Sequence, residues 1–496
     1  MHHFAIHRKI KLYTALVAAL TLALSSGLLA LANVTVVQVS MDPYTNNTSQ
    51  HATEVEPDTF SYGSTIVEAS QVGRFTNGGS SNVGWATSTD NGANWTHGFL
   101  PGTTTFATPP GPWGRDTDPS VAYDVAHGVW LINTLPLPTG GTIGGAVMNN
   151  RSTDGGLTWS NPINIVVQNG LDKNWIACDD APSSPFYGRC YSEWDNNSAG
   201  NLLQMSTSSD GGLTWGPVRT PSGSPSGLGG QPVVQSNGNV VVPYSENDSG
   251  IGSFRSTDGG ASWSSAITVA SVSEHAEGGS IRTSPLPSAE VDSGGRVFVV
   301  WQDCRFRSGC SSNDIVMSSS TDGLTWSAVT RIPIDPVSST VDHFIPGIAV
   351  DKARSNPVAH LALTYYYYPT ANCTVSSCQL DVGFISSTDG GASWTAPTAV
   401  AGPMTLTWLA STNQGYMVGD YISTSFDTLG KAHPVFAIAH APSGGVFDEA
   451  MYSPVPGLSL APQAGGKAKT VRAGGDKVVF TGRGDRPKSP GLPTSH

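Results

Sequence analysis

Apolar positions along this chain fall in short runs that alternate with polar ones. Asp118-Pro119-Ser120-Val121-Ala122-Tyr123-Asp124 is followed by an apolar stretch from Gly128 to Leu131, and Gln231-Pro232-Val233-Val234 by Val240 to Val242. Ser288 to Asp292 leads in the same way to Val297–Trp301, and Pro346 to Asp351 to the stretch from Ala359 to Thr364. A period of two, broken by small and polar turn residues about every 8–12 positions, predicts β-strands throughout. The runs group into units of four strands, beginning near Glu56, Asp118, Asn174, Gln231, Pro285, Phe344 and Gly415. This count favours seven units, with six left open. The last unit lacks a fourth strand of its own, and the apolar segment Val34 to Val39 is expected to supply it and close a ring.

A second pattern punctuates the first. The string S-x-D-x-G-x-x-W recurs at Ser88–Trp95, Ser152–Trp159, Ser208–Trp215, Ser256–Trp263 and Ser387–Trp394, and Ser320–Trp326 is a copy one residue shorter. A repeat of such long period marks an array of similar structural units. Each string has the chemistry of a hairpin turn. The Asp accepts backbone N–H groups, the Gly supplies positive φ, and the Trp returns along the next strand to bury its ring. These strings resemble the Asp-box (BNR) repeat of sialidases and related β-propeller proteins. The resemblance implies an all-β propeller of four-stranded antiparallel blades, with every Asp-box turn on one rim. Such turns are structural, so the resemblance is specific for fold and says less about activity.

The ends of the chain read differently. Arg8, Lys9 and Lys11 precede an apolar stretch from Leu12 to Leu24, and Ala30-Leu31-Ala32 forms a small-residue cleavage site. This predicts a secretory signal over 1–32, with an uncleaved membrane anchor as the rival reading. The propeller is expected over 33–461. Residues 462–496, rich in Gly, Pro and basic residues, read as a flexible tail that includes Arg483-Gly484-Asp485. Only 12% of residues are charged and the net charge is −12, which argues against nucleic acid or an anionic membrane as partner. The chain reads as a secreted monomer. Its six cysteines form three close pairs, Cys178 with Cys190, Cys304 with Cys310 and Cys373 with Cys378, expected as three local disulfides.

Chemistry is expected on the face opposite the Asp boxes, where inner strands begin and second strands end. That face offers Glu56, Arg115, Asp118, Lys173, Arg282, the pair Asp342-His343, Asp420 and Tyr421 from strand entries, and Arg74, Glu193, Trp194, Glu246, Asp303 and Arg305 from the loops. Arginine forks bind a carboxylate bidentately, a carboxylic acid can protonate a glycosidic oxygen, and a Tyr paired with Glu can act as nucleophile. Sialidase resemblance implies three arginines on a substrate carboxylate, an Asp acid/base and a Tyr–Glu pair. The F/Y-R-I-P signature expected before the first Asp box is absent, and Arg331-Ile332-Pro333 follows the fifth box instead.

The sequence therefore nominates Tyr421 with Glu246 or Glu193 as a nucleophile pair and Asp118 as acid. Arg74, Arg115, Arg282 and Arg305 are nominated as substrate anchors, and Trp194 as a sugar-facing ring. Asp303 and Arg305 read equally well as a loop ion pair. The function expected is exo-glycoside hydrolysis on an extracellular glycan ending in sialic or another acidic sugar. A non-catalytic glycan-binding propeller and a polysaccharide lyase are the alternatives. No Rossmann or phosphate-loop signature is present, so no nucleotide cofactor is inferred; a structural calcium stays open.

Overall fold

A computed structural model describes residues 34–460 except 356. The leader read over 1–32 and the tail read over 462–496, with Arg483-Gly484-Asp485, lie outside the described residues. All helical segments among the described residues are three-residue 3-10 turns, and none is long and apolar enough to cross a membrane.

The strands form six antiparallel sheets of four or more strands, with one separate hairpin. Four sheets have the regular four-stranded order, for example Glu54–Tyr62, Thr65–Arg74, Ser80–Ser88 and Thr96–Phe99. The exception explains why seven sequence units give six sheets. Ile163–Cys178 is one unbroken strand of 16 residues. Its first half pairs with Gly144–Ser152 and its second half with Cys190–Asn196. The units that begin near Asp118 and Asn174 are thereby fused into one six-stranded sheet. Period-two alternation marks strands but does not mark where one strand ends in one unit and enters the next.

The expected ring closure is present. Val36–Gln38 pairs antiparallel with Glu449–Pro454, with Val36 opposite Pro454 and Gln38 opposite Tyr452. Val39 N–H extends the ladder to the Met451 carbonyl at 2.8 Å. Residues more than 400 positions apart in sequence thus share one sheet, the long-range contact that fixes the ring.

The Asp boxes behave as turn chemistry dictates. Ser256 Oγ donates to Asp258 Oδ1 (2.8 Å), the Gly260 N–H donates to Ser256 Oγ (2.9 Å), and the Ser262 N–H and hydroxyl donate to the two Asp258 oxygens (2.9 and 2.5 Å). The short copy keeps the scheme, and the Thr325 and Leu324 amides hold the Asp322 carboxyl down at about 2. The Trp side chains pack between sheets. Trp263 joins Tyr191, Val240 and Phe254, while Trp394 joins Phe298, Ile348 and Leu363. The core is a series of such apolar layers between neighbouring sheets. This is how single hairpins, marginal alone, become stable together. All three disulfides form as paired in the sequence.

Candidate functional site: a lysine among carboxylates at the inner-strand entries

Inner strands enter the ring through a repeated backbone device. Opposite the single residue Ser70, the first sheet places two, Glu56 and Pro57. Lys173 and Asn174 do the same opposite Trp194, and Ile345 and Pro346 opposite Tyr365. Each is a bulge whose first residue is left-handed, with φ of 57° at Glu56, 48° at Lys173 and 48° at Ile345. Asp118, just before Pro119 and the strand Ser120–Asp124, has φ 47°. Non-glycine residues rarely adopt this conformation, which costs about 1–3 kcal/mol each and persists where the surroundings over-determine it. Bulges of this kind re-aim side chains.

Three of these residues meet. The Lys173 ammonium lies 3.8 Å from Glu56 Oε1 and 3.9 Å from Asp118 Oδ1, and it contacts Asp420 Oδ2 directly. Asp420 is also held by Arg282 in a fork, from Nε (2.7 Å) and from a terminal nitrogen (2.5 Å). Arg282 is positioned by the separate hairpin, Ala410–Thr412 with Gly415–Met417, through its own N–H to the Tyr416 carbonyl at 2.6 Å. Only glycine fits at 415. Its φ is +126°, and a Cβ there would stand 2.3 Å from the Ser280 carbonyl oxygen.

Glu56, Arg74, Asp118, Asp172, Lys173 and Arg282 line a cavity of about 290 Å³. Burial, then the neighbouring Asp118 carboxylate, pushes the Glu56 carboxyl well above the usual range despite Lys173. Burial pushes Asp172 up to about 6. Asp420 goes the other way: burial opposes its charge, but Arg282 and Lys173 outweigh it and hold the carboxyl low. Burial thus raises the Glu56 carboxyl on the cavity wall while Arg282 and Lys173 hold the neighbouring Asp420 carboxyl low, the kind of divergence that acid–base chemistry uses.

The nominated residues divide. Asp118, Arg74 and Arg282 line this cavity. Arg74 is buried and donates to the Gly79 carbonyl (2.7 Å) and Met417 Sδ (3.3 Å). Arg115 sits beside them, bonded to Asn77 Oδ1 (2.8 Å) and the Gly78 carbonyl (2.7 Å), with its guanidinium 4.1 Å from the centre of the Phe75 ring. Arg305 is instead the loop ion pair, Nε to Asp303 Oδ1 at 2.9 Å and a terminal nitrogen to Oδ2 at 2.6 Å, next to the Cys304–Cys310 disulfide.

The Tyr–Glu pair is not assembled. Tyr421 donates its hydroxyl to the Pro119 carbonyl (3.1 Å) and packs edge-on against Trp175, and burial, then Glu56, raises its pKa well above 10. Glu246 binds the Thr268 hydroxyl at a loop. Glu193 is fully buried with neither carboxylate oxygen hydrogen-bonded, its carboxyl pushed up by burial and then by Asp195. Trp194 is not a sugar platform either. It is 0% exposed and its indole N–H donates to Gln204 Oε1 at 3.1 Å, because odd and even positions of this strand are both covered within the six-stranded sheet. Asp342 and His343 do not pair with each other. Asp342 Oδ1 accepts the Asn313 N–H (2.6 Å), while His343 Nδ1 faces the Asn313 carbonyl (3.1 Å). The sequence placed Glu56, Lys173 and Asp420 on the right face without giving them roles. Glu56-Pro57 and Asp118-Pro119 share an acid–proline pair at a left-handed strand entry, but Lys173-Asn174 carries no such mark.

A sequence model for a BNR repeat-like domain matches residues 187–346. No curated protein matches. A protein of unknown function from Dyadobacter fermentans is 17% identical, covering 71% of this chain and 99% of that one, with a TM-score of 0.44. A Hadza microbial sialidase is 16% identical over 82% of this chain and 67% of its own, with a TM-score of 0.41. The intramolecular trans-sialidase of Ruminococcus gnavus is 15% identical over 83% and 94%, with a TM-score of 0.40. The six Asp-box turns and the ring of sheets make the chain a β-propeller, with a BNR repeat-like domain matched over residues 187–346.

Proposed function

We propose that this BNR-repeat β-propeller is a secreted glycoside hydrolase acting on the terminal sugar of an extracellular glycan, with Glu56 as proton donor and Asp118 as the second carboxylate. One observation carries the reading. Two carboxyl groups, 3.8 and 3.9 Å from a single ammonium, share the wall of a cavity, and burial pushes the Glu56 carboxyl well above the usual range. Glycoside cleavage uses such a pair. Glu56 gives its proton to the glycosidic oxygen as the bond to the anomeric carbon breaks, Asp118 faces the positive charge that develops on the sugar, and water adds to that carbon, its proton returning to the Glu56 carboxylate. The shared ammonium limits the two carboxyls to less than about 8 Å apart, a span that includes both the retaining and the inverting geometry. Lys173, in contact with Asp420 and within 4 Å of both Glu56 and Asp118, fixes the spacing. The cavity volume, about 290 Å³, is at the small end for ligand sites and suits a single sugar entering end-on.

A terminal sialic acid would be anchored by Arg74 and by Arg282, the latter only if it exchanges Asp420 for the substrate carboxylate. That internal pairing favours the second reading, a glycan-binding propeller without turnover, in which the charged groups hold the cavity in shape. The deciding experiment assays the purified chain on aryl glycosides of neutral and acidic sugars, an α-sialoside included, across about pH 4–8. Expected is turnover that falls about 10²–10⁴-fold in Glu56→Gln and Asp118→Asn and persists in Tyr421→Phe. Activity lost in Tyr421→Phe and kept in Glu56→Gln would overturn the assignment. Retention of glycans without turnover of any substrate would leave the binding reading.

A further inference from the structure

Away from the cavity, two neighbouring sheets meet at a polar cluster that the proposed reaction does not use. Asp314 opens the strand Asp314–Ser320, Asp335 follows Thr330–Arg331 in the same sheet, and His343 lies on the inner strand Asp342–Val350 of the next. Two guanidiniums organise the carboxylates. Arg307 reaches Oδ1 of both Asp314 and Asp335 at 2.5 Å, and Arg331 reaches the same two atoms at 2.8 and 2.5 Å. Both arginines therefore use Oδ1 and leave Oδ2. The Oδ2 atoms of Asp314 and Asp335 are buried and have no hydrogen-bond partner, and the Asp314 side chain is 1% exposed.

His343 points its other ring atom at them. Its Nδ1 lies 3.1 Å from the Asn313 carbonyl, which only accepts, so Nδ1 carries the proton. Nε2 is then a lone pair, 3.9 Å from Asp335 Oδ2. Among the described residues, these three side chains each offer one ligand atom within 4.8 Å of the others. A histidine held by a backbone carbonyl at one nitrogen and carboxylates oriented through their second oxygen make up the outer support typical of metal centres.

We propose that Asp314, Asp335 and His343 bind a first-row divalent cation, zinc foremost, that pins these two sheets together. Imidazole beside monodentate carboxylates selects such ions over calcium and magnesium, which take oxygen alone. A tetrahedral zinc spaces its ligand atoms about 3.3–3.5 Å apart, so His343 and Asp335 need to close by roughly half an ångström. The cation would share Asp314 and Asp335 with the Arg307 and Arg331 guanidiniums, and Asp342, within electrostatic reach of Asp314, with Glu277 beyond it, adds further negative charge. Asp335, 14% exposed, gives an entry path and leaves room for a water as fourth ligand.

The test uses the purified full chain, stripped with a chelator and titrated calorimetrically with zinc, calcium and magnesium. One equivalent of zinc should bind, more tightly than calcium or magnesium, and should raise the melting temperature. His343→Phe, which keeps a ring against Tyr365, and Asp335→Asn should each weaken zinc at least about tenfold and abolish the zinc-dependent rise in melting temperature. Wild-type protein that takes up no zinc at one equivalent overturns the proposal, as does zinc binding unchanged in Asp335→Asn. The wild-type titration stands even if the phenylalanine variant does not fold.

Discussion

Replacing Lys173 by methionine tests whether this ammonium holds the cavity together. Lys173 touches Asp420 and lies within 4 Å of Glu56 and Asp118, and its own pKa is raised because Asp118, Asp420 and Glu56 outweigh the burial that opposes its charge. Coulomb's law at an effective dielectric of about 20 gives about 4 kcal/mol for opposite charges about 4 Å apart, and desolvation of the ammonium cancels a large part of that sum over its partners. Removing one member of a buried ionic cluster costs about 3–5 kcal/mol. Asp420 keeps its fork from Arg282, so the lower end, about 3 kcal/mol, is expected near pH 7.5.

The pH dependence is the sharper part. Without Lys173, the folded-state pKa of Glu56 and Asp172 moves further up, while the unfolded values stay near 4. Groups with raised folded pKa bind more protons in the native state, so stability falls as pH rises between the two values. The deficit of Lys173→Met should therefore be small near pH 5 and full near pH 7.5. Guanidinium unfolding of both proteins at the two pH values measures it. An equal deficit at both, or none at either, would refute the cluster's electrostatic role.

The same linkage gives the whole propeller an acidic stability optimum. Burial pushes Asp58, Asp180 and Asp381 up to about 7 and Glu68 to about 8, so stability should decline from about pH 4 to about pH 8. Hydrogen bonds at the Asp boxes hold Asp322 and Asp389 at about 2, so their contribution is lost only as pH falls from about 4 through 2. A denaturation midpoint that peaks near pH 4–5 is expected across pH 3–9; a maximum at or above pH 7 contradicts the assignment of these buried acids. Val39→Pro removes the N–H bonded to Met451 from a residue that is 1% exposed, and should cost about 3 kcal/mol in the same assay. An unchanged midpoint would mean that the N-terminal strand does not close the ring.

Much of the fold is legible because its determinants are local. An Asp box satisfies its own hydrogen bonds within five residues, so its pattern survives in the string itself, even in the shortened copy at Ser320. The disulfides are legible for the same reason, each closing a short loop. Ring closure by Val36–Gln38 needed only a missing strand at one end and a spare one at the other. The merged sheet was not legible, because a strand that continues from one unit into the next differs from two strands only by the turn it lacks. Trp194 was misread because a Trp-Asp pair after a second strand resembles an exposed loop, whereas burial on both faces is decided by the neighbouring sheet. Tyr421 was misread because its hydroxyl partner, the Pro119 carbonyl, carries no side-chain signal.

The candidate site shows why fold recognition stops short of chemistry here. Glu56, Lys173 and Ile345 occupy the same left-handed bulge position in three different sheets. Two of them bring charges to the cavity, joined there by Asp118 from an unpaired but similarly twisted entry. Ile345 uses the same backbone turn to enter the apolar layer with Phe344, Val382 and Phe436. The device is architectural, and what it delivers depends on one side chain at each entry. Exchanging that side chain would move a sheet from packing to chemistry without disturbing the ladder. The strain at φ near 50° is thus paired with the charged cavity at Glu56, Lys173 and Asp118 and with packing at Ile345, so positive φ alone does not locate the site. The convergence of Glu56 and Asp118 on the Lys173 ammonium does.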